Sequence, residues 1–337
     1  QIVHGACGVV PAELAGSIVS NEYAILGAKP TIDLNFLNHL AHSVYFQQTC
    51  FHSSIGVHVE KMIFKLDRWL AWDFDLPPLP EQQRIAEILS SWDCAIRTVE
   101  ALIANARDQK HALMQSLVTG QERLPGFTGE WTKSTVSQIT NVLISNIDKK
   151  SAAAEQTVRL CNYMDVYRSD QIEADMDFMI ATATADQVRK FGLRVGDVLI
   201  TKDSETPDDI AVPAHVASTA PDLVCGYHLA ILRPKRGCDG QFLKFYFEHP
   251  HTRYFFATRA NGATRFGLTI DAIEAAPITL PGYEEQQRIA AVIAVAEQEI
   301  DRLKPIAAAL REEKSALMQQ LLTGKRRVKV DLERETC

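Results

Sequence analysis

Apolar residues recur in alternating steps of four and three along two stretches of the chain. Ile85, Leu89, Trp92, Ile96, Val99, Ile103, Ala106, Leu113 and Leu117 form the first seam, with Lys110 at one seam position. Ile289, Ile293, Ala296, Ile300, Leu303, Ala307, Leu310, Leu317 and Leu321 form the second, with Lys314 in the matching place. A seam of this period, held over several heptads, predicts helices packed against each other. About forty residues at ~1.5 Å each give rods of roughly 60 Å. Each rod closes on Thr-Gly, at Thr119-Gly120 and Thr323-Gly324, where glycine suits the left-handed residue past a helix end. Pro305 removes a backbone donor and predicts a kink or split of the second rod near Asp301 to Lys304. The two seam lysines are expected to snorkel to water; the alternative is a polar seam position that sets register.

The rods are copies of one another. The string EQQRIA occurs at Glu81 to Ala86 and again at Glu285 to Ala290, and the following residues match without a gap, Arg84 with Arg288, Met114 with Met318 and Gly120 with Gly324. A repeat this long indicates one helix-plus-domain unit used twice, not a solenoid. Proline-punctuated approaches, DFDLPPLPEQQ at Asp73 to Gln83 and APITLPGYEEQQ at Ala276 to Gln287, predict a defined entry angle into each helix.

Between the first rod and the second approach, Leu124 to Leu280 is long enough for a complete domain. Its short apolar runs at Val158 to Leu160, Val198 to Thr201 and Leu229 to Leu232 are strand-like, and Ala183 to Phe191 and Gln241 to His249 are helical, so a mixed domain is expected. Gln1 to Asp75 is shorter. Its segment EYAILGAKPTIDLNFLNHLAHSVYF at Glu22 to Phe46 parallels YHLAILRPKRGCDGQFLKFYF at Tyr227 to Phe247, which predicts the back half of a second such domain, its front missing.

Composition narrows the classes. The chain has 337 residues, 46% of them hydrophobic, and no apolar run of membrane-spanning length, so a soluble, cytoplasmic protein is expected. Seven cysteines without a CxxC pair favour reduced thiols. The pairs His39/His42 and His249/His251 lack a completing ligand and are expected to be structural, with no metal. The net charge of −7 argues mildly against nucleic acid on whole-chain grounds. Locally, however, Ile231 to Ile270 carries Arg233, Lys235, Arg236, Lys244, Arg253, Arg259 and Arg265 among Phe245, Tyr246, Tyr254, Phe255 and Phe266, a pattern equally suited to a phosphate-gripping surface or to a solvated face over core aromatics.

Enzyme signatures are weak. The proline tract at Asp75 to Pro80 suits a helix approach better than an adenine-methyltransferase tetrapeptide, and no Walker sequence occurs. Nuclease patterns around Pro207-Asp208 and Pro221-Asp222 are unconvincing, and Lys202, Asp203 and Glu205 fit a polar loop better than an acid–base site.

These features resemble the specificity (S) subunit of type I restriction-modification systems. The resemblance rests on LPPLPEQQRIAEIL at Leu76 to Leu89 with LMQSLVTG at Leu113 to Gly120, and LPGYEEQQRIAAVI at Leu280 to Ile293 with LMQQLLTG at Leu317 to Gly324. Within the full domain LPGFTGEW at Leu124 to Trp131, GLRVGDVLITK at Gly192 to Lys202 and TRFGLTIDAIEAAPITLP at Thr264 to Pro281 are similar to that family. The resemblance implies an α+β protein in which mixed α/β target-recognition domains are joined by two long helices packed as an antiparallel coiled coil. The expected divisions are 1–75, the C-terminal part of a truncated first recognition domain; 76–123, the first spacer; 124–280, the second recognition domain; 281–325, the second spacer; and 326–337, a tail.

It further implies a non-catalytic subunit that reads half of a bipartite double-stranded DNA target. Two methyltransferase subunits would dock on it and bring S-adenosylmethionine, motor-nuclease subunits would join for cleavage, and the chain itself would hold no cofactor. By residue type and loop position, Arg259, Asn261, Thr264 and Arg265 are the first candidates for DNA contact, and Tyr163, Arg168, Lys202 and Tyr227 the second. The alternative is a coiled-coil assembly protein that does not bind DNA.

Overall fold

In the computed structural model the chain is described over residues 7–20, 23–56, 62–148 and 152–330. It divides into two compact units, residues 1–104 with 301–337, and residues 105–300. The long helices α4 (Leu79–Leu113) and α11 (Tyr283–Leu321) each give one part to each unit. Seam residues are buried as their spacing predicts, Ile85, Leu89, Ile96, Ile103, Ala106 and Leu117 on one side and Ile289, Ile293, Ile300, Leu303, Ala307 and Leu321 on the other. Gly120 and Gly324 take left-handed φ values of 73° and 70°. One departure is a π-helical turn at Met114–Val118, which buries Met114, Leu117 and Val118.

The predicted split at Pro305 does not occur, because α11 runs unbroken through it. Pro305 and Asp301 both lie on the exposed side of the helix. The carbonyl deprived of its helical donor lies on the solvent side, and the proline's remaining cost of about 3 kcal/mol is outweighed by the seam residues Ile300, Leu303 and Ala307 buried on either side of it.

In the first unit, α1 (Leu34–Ala41) and α2 (Val44–His52) are capped by the side chains of Asp33 and Ser43. The hairpin β1 (Ser54–Ile55) and β2 (Ile63–Phe64) and the short α3 (Leu66–Trp69) follow. Phe36, Leu40, Phe46, Cys50 and Trp69 pack with Ile85 and Leu89 of α4 and with Leu321 and Leu322 at the end of α11. The helix segments run antiparallel here: Asp93 bonds Lys314 and Glu100 bonds Arg311, both at 2.5 Å.

The second unit opens with β3 (Thr132–Thr135), α5 (Val136–Ile139) and β4 (Thr140–Ile144), followed by β5 (Gln156–Cys161), α6 (Tyr163–Arg168), β6 (Gln171–Ile172), β7 (Met179–Ala183) and α7 (Ala185–Phe191). Next come β8 (Val198–Thr201), β9 (Asp203–Ser204), β10 (Pro213–Val216), β11 (Leu223–Cys225) and β12 (Leu229–Pro234). The unit continues through α8 (Gly240–Glu248), α9 (Pro250–Ala257), β13 (Phe266–Gly267), α10 (Ile270–Glu274) and β14 (Pro277–Leu280) into α11. A five-stranded sheet of order β4-β12-β8-β10-β6 stands beside a three-stranded sheet β11-β5-β7. The apolar runs read as strands become β5, β8 and β12, and β8 and the first four residues of β12 are wholly buried. Such continuous burial suits strands covered on both faces.

The sequence repeat recurs as a repeat of bonds. Glu81 accepts from the Arg327 guanidinium at 2.5 Å, and its counterpart Glu285 accepts from Arg123, the counterpart of Arg327, at 2.6 Å. Gln82 donates to the carbonyls of Thr31 and Pro77 and accepts from the Asp33 N–H; Gln286 donates to Gly237 and Pro281 and accepts from the Asp239 N–H. Each glutamine thus ties the proline approach to the cap of a domain helix. In each unit the glutamate opening one long helix is met by an arginine just past the end of the other.

The seam lysines do not snorkel. Lys110 is buried and lies 2.6 Å from Glu297 and 2.7 Å from Glu248; Lys314 holds Asp93, the counterpart of Glu297. A carboxylate on the facing helix gives the ammonium a partner inside the seam, so the polar-seam alternative is the one realised. In the second unit this grows into a network in which Lys244, 1% exposed, also contacts Glu297, Glu248 and Asp170. Burial pulls the Lys244 pKa down, but the three carboxylates outweigh it and hold the pKa above the ordinary lysine value.

Removing one partner of a buried pair strands the other charges, at about 3–5 kcal/mol, whereas a half-exposed pair contributes about 1 kcal/mol or less. Glu297→Ala is therefore expected to destabilise the chain several-fold more than Asp93→Ala in urea titrations; equal effects would contradict the burial contrast. The hydrogen bonds from Arg327 hold the Glu81 carboxyl below the usual carboxylate range despite burial. A lowered folded pKa contributes stability above the unfolded value and loses it as pH falls through the folded one. Glu81→Gln should lower Tm at neutral pH, and the gap to the parent should close on acidification; a gap that stays constant with pH would count against this pair.

Candidate nucleic-acid interface

The candidate surface belongs to the second unit and is built on the loop between β8 and β10. Thr201 closes the base of that loop: its N–H donates to the Val212 carbonyl, its carbonyl accepts from Ala211, and its hydroxyl accepts from the Val212 N–H. Ala211 has φ of 57°, the one positive value outside glycine among the described residues, and is fully buried. The pinch holds it in this conformation, uncommon for a residue bearing a Cβ.

Above the base, Lys202 lies 2.6 Å from Asp203, and the same carboxylate oxygen lies 2.7 Å from His228 Nδ1. The exposed Tyr227 ring rests against His228, with centroids 3.6 Å apart. β9 pairs with β13, placing Phe266 opposite Ser204 and Gly267 opposite Asp203. Asn261 and Gly267 exchange backbone hydrogen bonds, so the residues between them form a tight turn carrying Thr264 and Arg265 on its exposed side. Gly262 has φ of 151°, and a Cβ there would meet the Arg265 carbonyl oxygen at 1.8 Å. Only glycine fits without remaking the turn.

Of the eight residues chosen from sequence, this arrangement gathers seven. Tyr163 lies beside Ser204, and its phenol pKa is raised, chiefly by burial. Asn261 donates to the Arg259 carbonyl, and the Arg259 guanidinium lies over the Phe255 ring at 3.6 Å. Arg168, exposed at the end of α6, makes none of these contacts.

The basic, aromatic-rich stretch from Ile231 to Ile270 is not a single surface. Lys244 and Phe245 are buried, Arg233 is held bidentately by Asp197, Lys235 donates to the Ser137 carbonyl and Arg253 to that of Asp208. α8 buries Lys244 and Phe245, while the other three are tied to carboxylate or carbonyl partners from separate elements, which clustering by sequence distance does not reveal.

His228 and Tyr167 of this surface were missed by sequence reasoning, and Asp203 was read only as part of a polar loop. His228 and Asp203 connect Lys202 to Tyr227. Tyr167 stacks on Tyr163 at 5.5 Å and donates to Asp209, which lies 3.7 Å from Arg253. The signal for the first two was adjacency to the chosen residues; Tyr167 stands one helical turn from Tyr163. The face is mixed in charge, since Asp203, Glu205, Asp208 and Asp209 lie on the same loop as Lys202.

Among the described residues, three carboxylates close enough to share an ion occur at Asp170, Glu248 and Glu297. The ammonium groups of Lys110 and Lys244 already neutralise them. Among the same residues no helix is long and apolar enough to cross a membrane.

No family model matches the chain. Solved structures do. The type I restriction-modification S subunit from M. genitalium aligns with a TM-score of 0.54 at 15% identity, over 86% of this chain and 73% of that one. A chain from a structure concerned with complex assembly and conformational transition of the type I R-M system aligns with a TM-score of 0.51 at 19% identity, over 88% and 72%. The fold is that of a type I specificity subunit. Within the specificity-subunit fold the α+β class and long helices expected from sequence are present, and residues of the second unit extend the alignment well beyond the helices.

Gly262→Ala should disturb the turn at a cost of about 1–3 kcal/mol while leaving the five-stranded sheet intact. Proton–nitrogen NMR spectra should show shifts confined to residues near 202–204, 227–228 and 259–268; shifts spread through the core would refute a local role for this glycine.

Proposed function

We propose that this chain is the non-catalytic DNA-sequence-recognition subunit of a type I restriction-modification complex, with its second unit reading one half-site of a bipartite target. What supports the reading is the exposed set of Tyr227, Asn261 and Arg265, gathered with the half-buried Lys202 on one loop-built face of a specificity-subunit fold. Arginine offers two parallel donors to a guanine edge or a phosphate, Asn261 offers an adenine-type pairing edge, and Tyr227 offers a flat ring. The acidic residues on the same loop temper nonspecific attraction to the phosphate backbone and leave selectivity to geometry.

In this reading the repeated helices scaffold two methyltransferase subunits, which carry S-adenosylmethionine and the chemistry, and motor-nuclease subunits join for cleavage. The chain contributes contacts and spacing only.

Selection of random duplexes with the chain reconstituted with its methyltransferase subunits should enrich one motif. Arg265→Ala should weaken binding by about 1–3 kcal/mol, roughly ten-fold or more, if the arginine reads a base. If it holds a phosphate, the logarithmic salt slope should fall by about one. A selection that enriches no motif would favour the alternative, an assembly protein without DNA affinity. Methyl transfer by the isolated chain would overturn the non-catalytic assignment.

A further inference from the structure

On the loop-built face a single oxygen holds two nitrogen donors. Asp203 Oδ2 accepts from the Lys202 ammonium at 2.6 Å and from His228 Nδ1 at 2.7 Å. Contacts this short to an anionic oxygen are charge-assisted hydrogen bonds, and a phosphate oxygen accepts them as a carboxylate oxygen does. The site is open enough for an incoming group, with the Lys202 side chain 17% exposed and those of Asp203 and His228 32% each.

The two donors are placed by contacts that do not involve the carboxylate. The Lys202 N–H donates to the His228 carbonyl at 3.0 Å, and the Lys202 carbonyl accepts from the Leu268 N–H at 2.8 Å. The Tyr227 ring rests against the imidazole. Asp203 stands on β9, whose pairing with β13 is made by the backbone. Two residues along, Glu205 is exposed and its carboxylate has no hydrogen bond or ion pair among the described residues. A carboxylate lowers the local charge from any point on the loop, as Glu205 does; Asp203 also fills the point at which two donors converge.

We propose that Asp203 occupies a seat for a phosphate oxygen, and that a DNA phosphate displaces the carboxylate there and takes over Lys202 and His228. The inference rests on the DNA-reading assignment for the source of the phosphate. A partly exposed ion pair is weak, so the exchange is close to balanced. The backbone bonds of Lys202 and His228 keep the seat in shape while it changes occupant. A phosphate held at this point fixes the position of the duplex and carries no sequence information. Arg265, one residue before the Phe266 that pairs with Ser204, is then left for a base edge.

Two measurements test this. In the first, the full chain is titrated with inorganic phosphate and followed by proton–nitrogen NMR as the parent, Asp203→Asn and Glu205→Gln. Asp203→Asn removes the charge and keeps the shape of the side chain, so its signals from Lys202, Tyr227 and His228 should shift at concentrations about two- to five-fold lower than in the parent, the range expected for releasing one partly exposed pair. Glu205→Gln removes a charge from the same loop without freeing a donor and should titrate like the parent. An Asp203→Asn titration no tighter than the parent's, or an equal gain in Glu205→Gln, overturns the proposal. In the second, the chain with its methyltransferase subunits binds the duplex enriched by selection. Asp203→Asn should bind that duplex about two- to five-fold more tightly, with the logarithmic salt slope unchanged because the same phosphates are contacted. Weaker or unchanged binding would show a carboxylate that only holds Lys202 and His228 in place, and overturns the proposal while the DNA reading stands. A gain with inorganic phosphate and no enriched motif would instead sink the DNA reading and, with it, DNA as the source of the phosphate.

Discussion

Buried carboxylates at the starts of the long helices govern much of this structure. Glu81 and Glu285 are 5% and 3% exposed, and each is neutralised by an arginine from beyond the end of the other helix. A buried charge tolerates few arrangements of its partner, so each pair constrains where a helix begins relative to where its neighbour stops. The seam alone is less discriminating, since a heptad pattern accepts a shift of one repeat. Lys110 with Glu297 and Lys314 with Asp93 repeat the constraint midway along the rods. Hydrophobic burial supplies adhesion, and the ion pairs select one register.

The same logic attaches domain to helix. Gln82 and Gln286 each spend a side-chain amide on two backbone carbonyls and one backbone N–H. The proline approach and the cap of a domain helix are thereby fixed to the first turn of a long helix. Orientation of the loop-built face in the second unit follows from this chain of contacts, from α11 through Asp239 and α8 to β8 and β10, on which the loop stands.

The long helices were legible because their period is long and unambiguous, and β8 and β12 because Val198 to Ile200 and Leu229 to Leu232 are apolar without interruption; β5 was legible from β-branched and apolar residues around Arg159. The split expected at Pro305 did not follow because one proline's cost is smaller than the burial of Ile300, Leu303 and Ala307 around it. The lysines misled because sequence shows an ammonium and hides its partner: Glu297 lies 187 residues from Lys110 in the chain. The candidate face was partly legible, through loop residues of suitable type. The Asp203–His228 link was not, since it joins strands brought together only by the sheet order.

Thr201 has a consequence for how such a surface can change. Its three backbone and side-chain bonds to Ala211 and Val212 seal the sheet below the loop. Residues 203–209, between Lys202 with its backbone bonds to His228 and Leu268 and the buried Ile210, stand outside the contacts that hold β8 to β10, so substitutions there leave those two strands in place. A scaffold so insulated from one of its loops can absorb changes there by drift, without passing through unfolded ancestors.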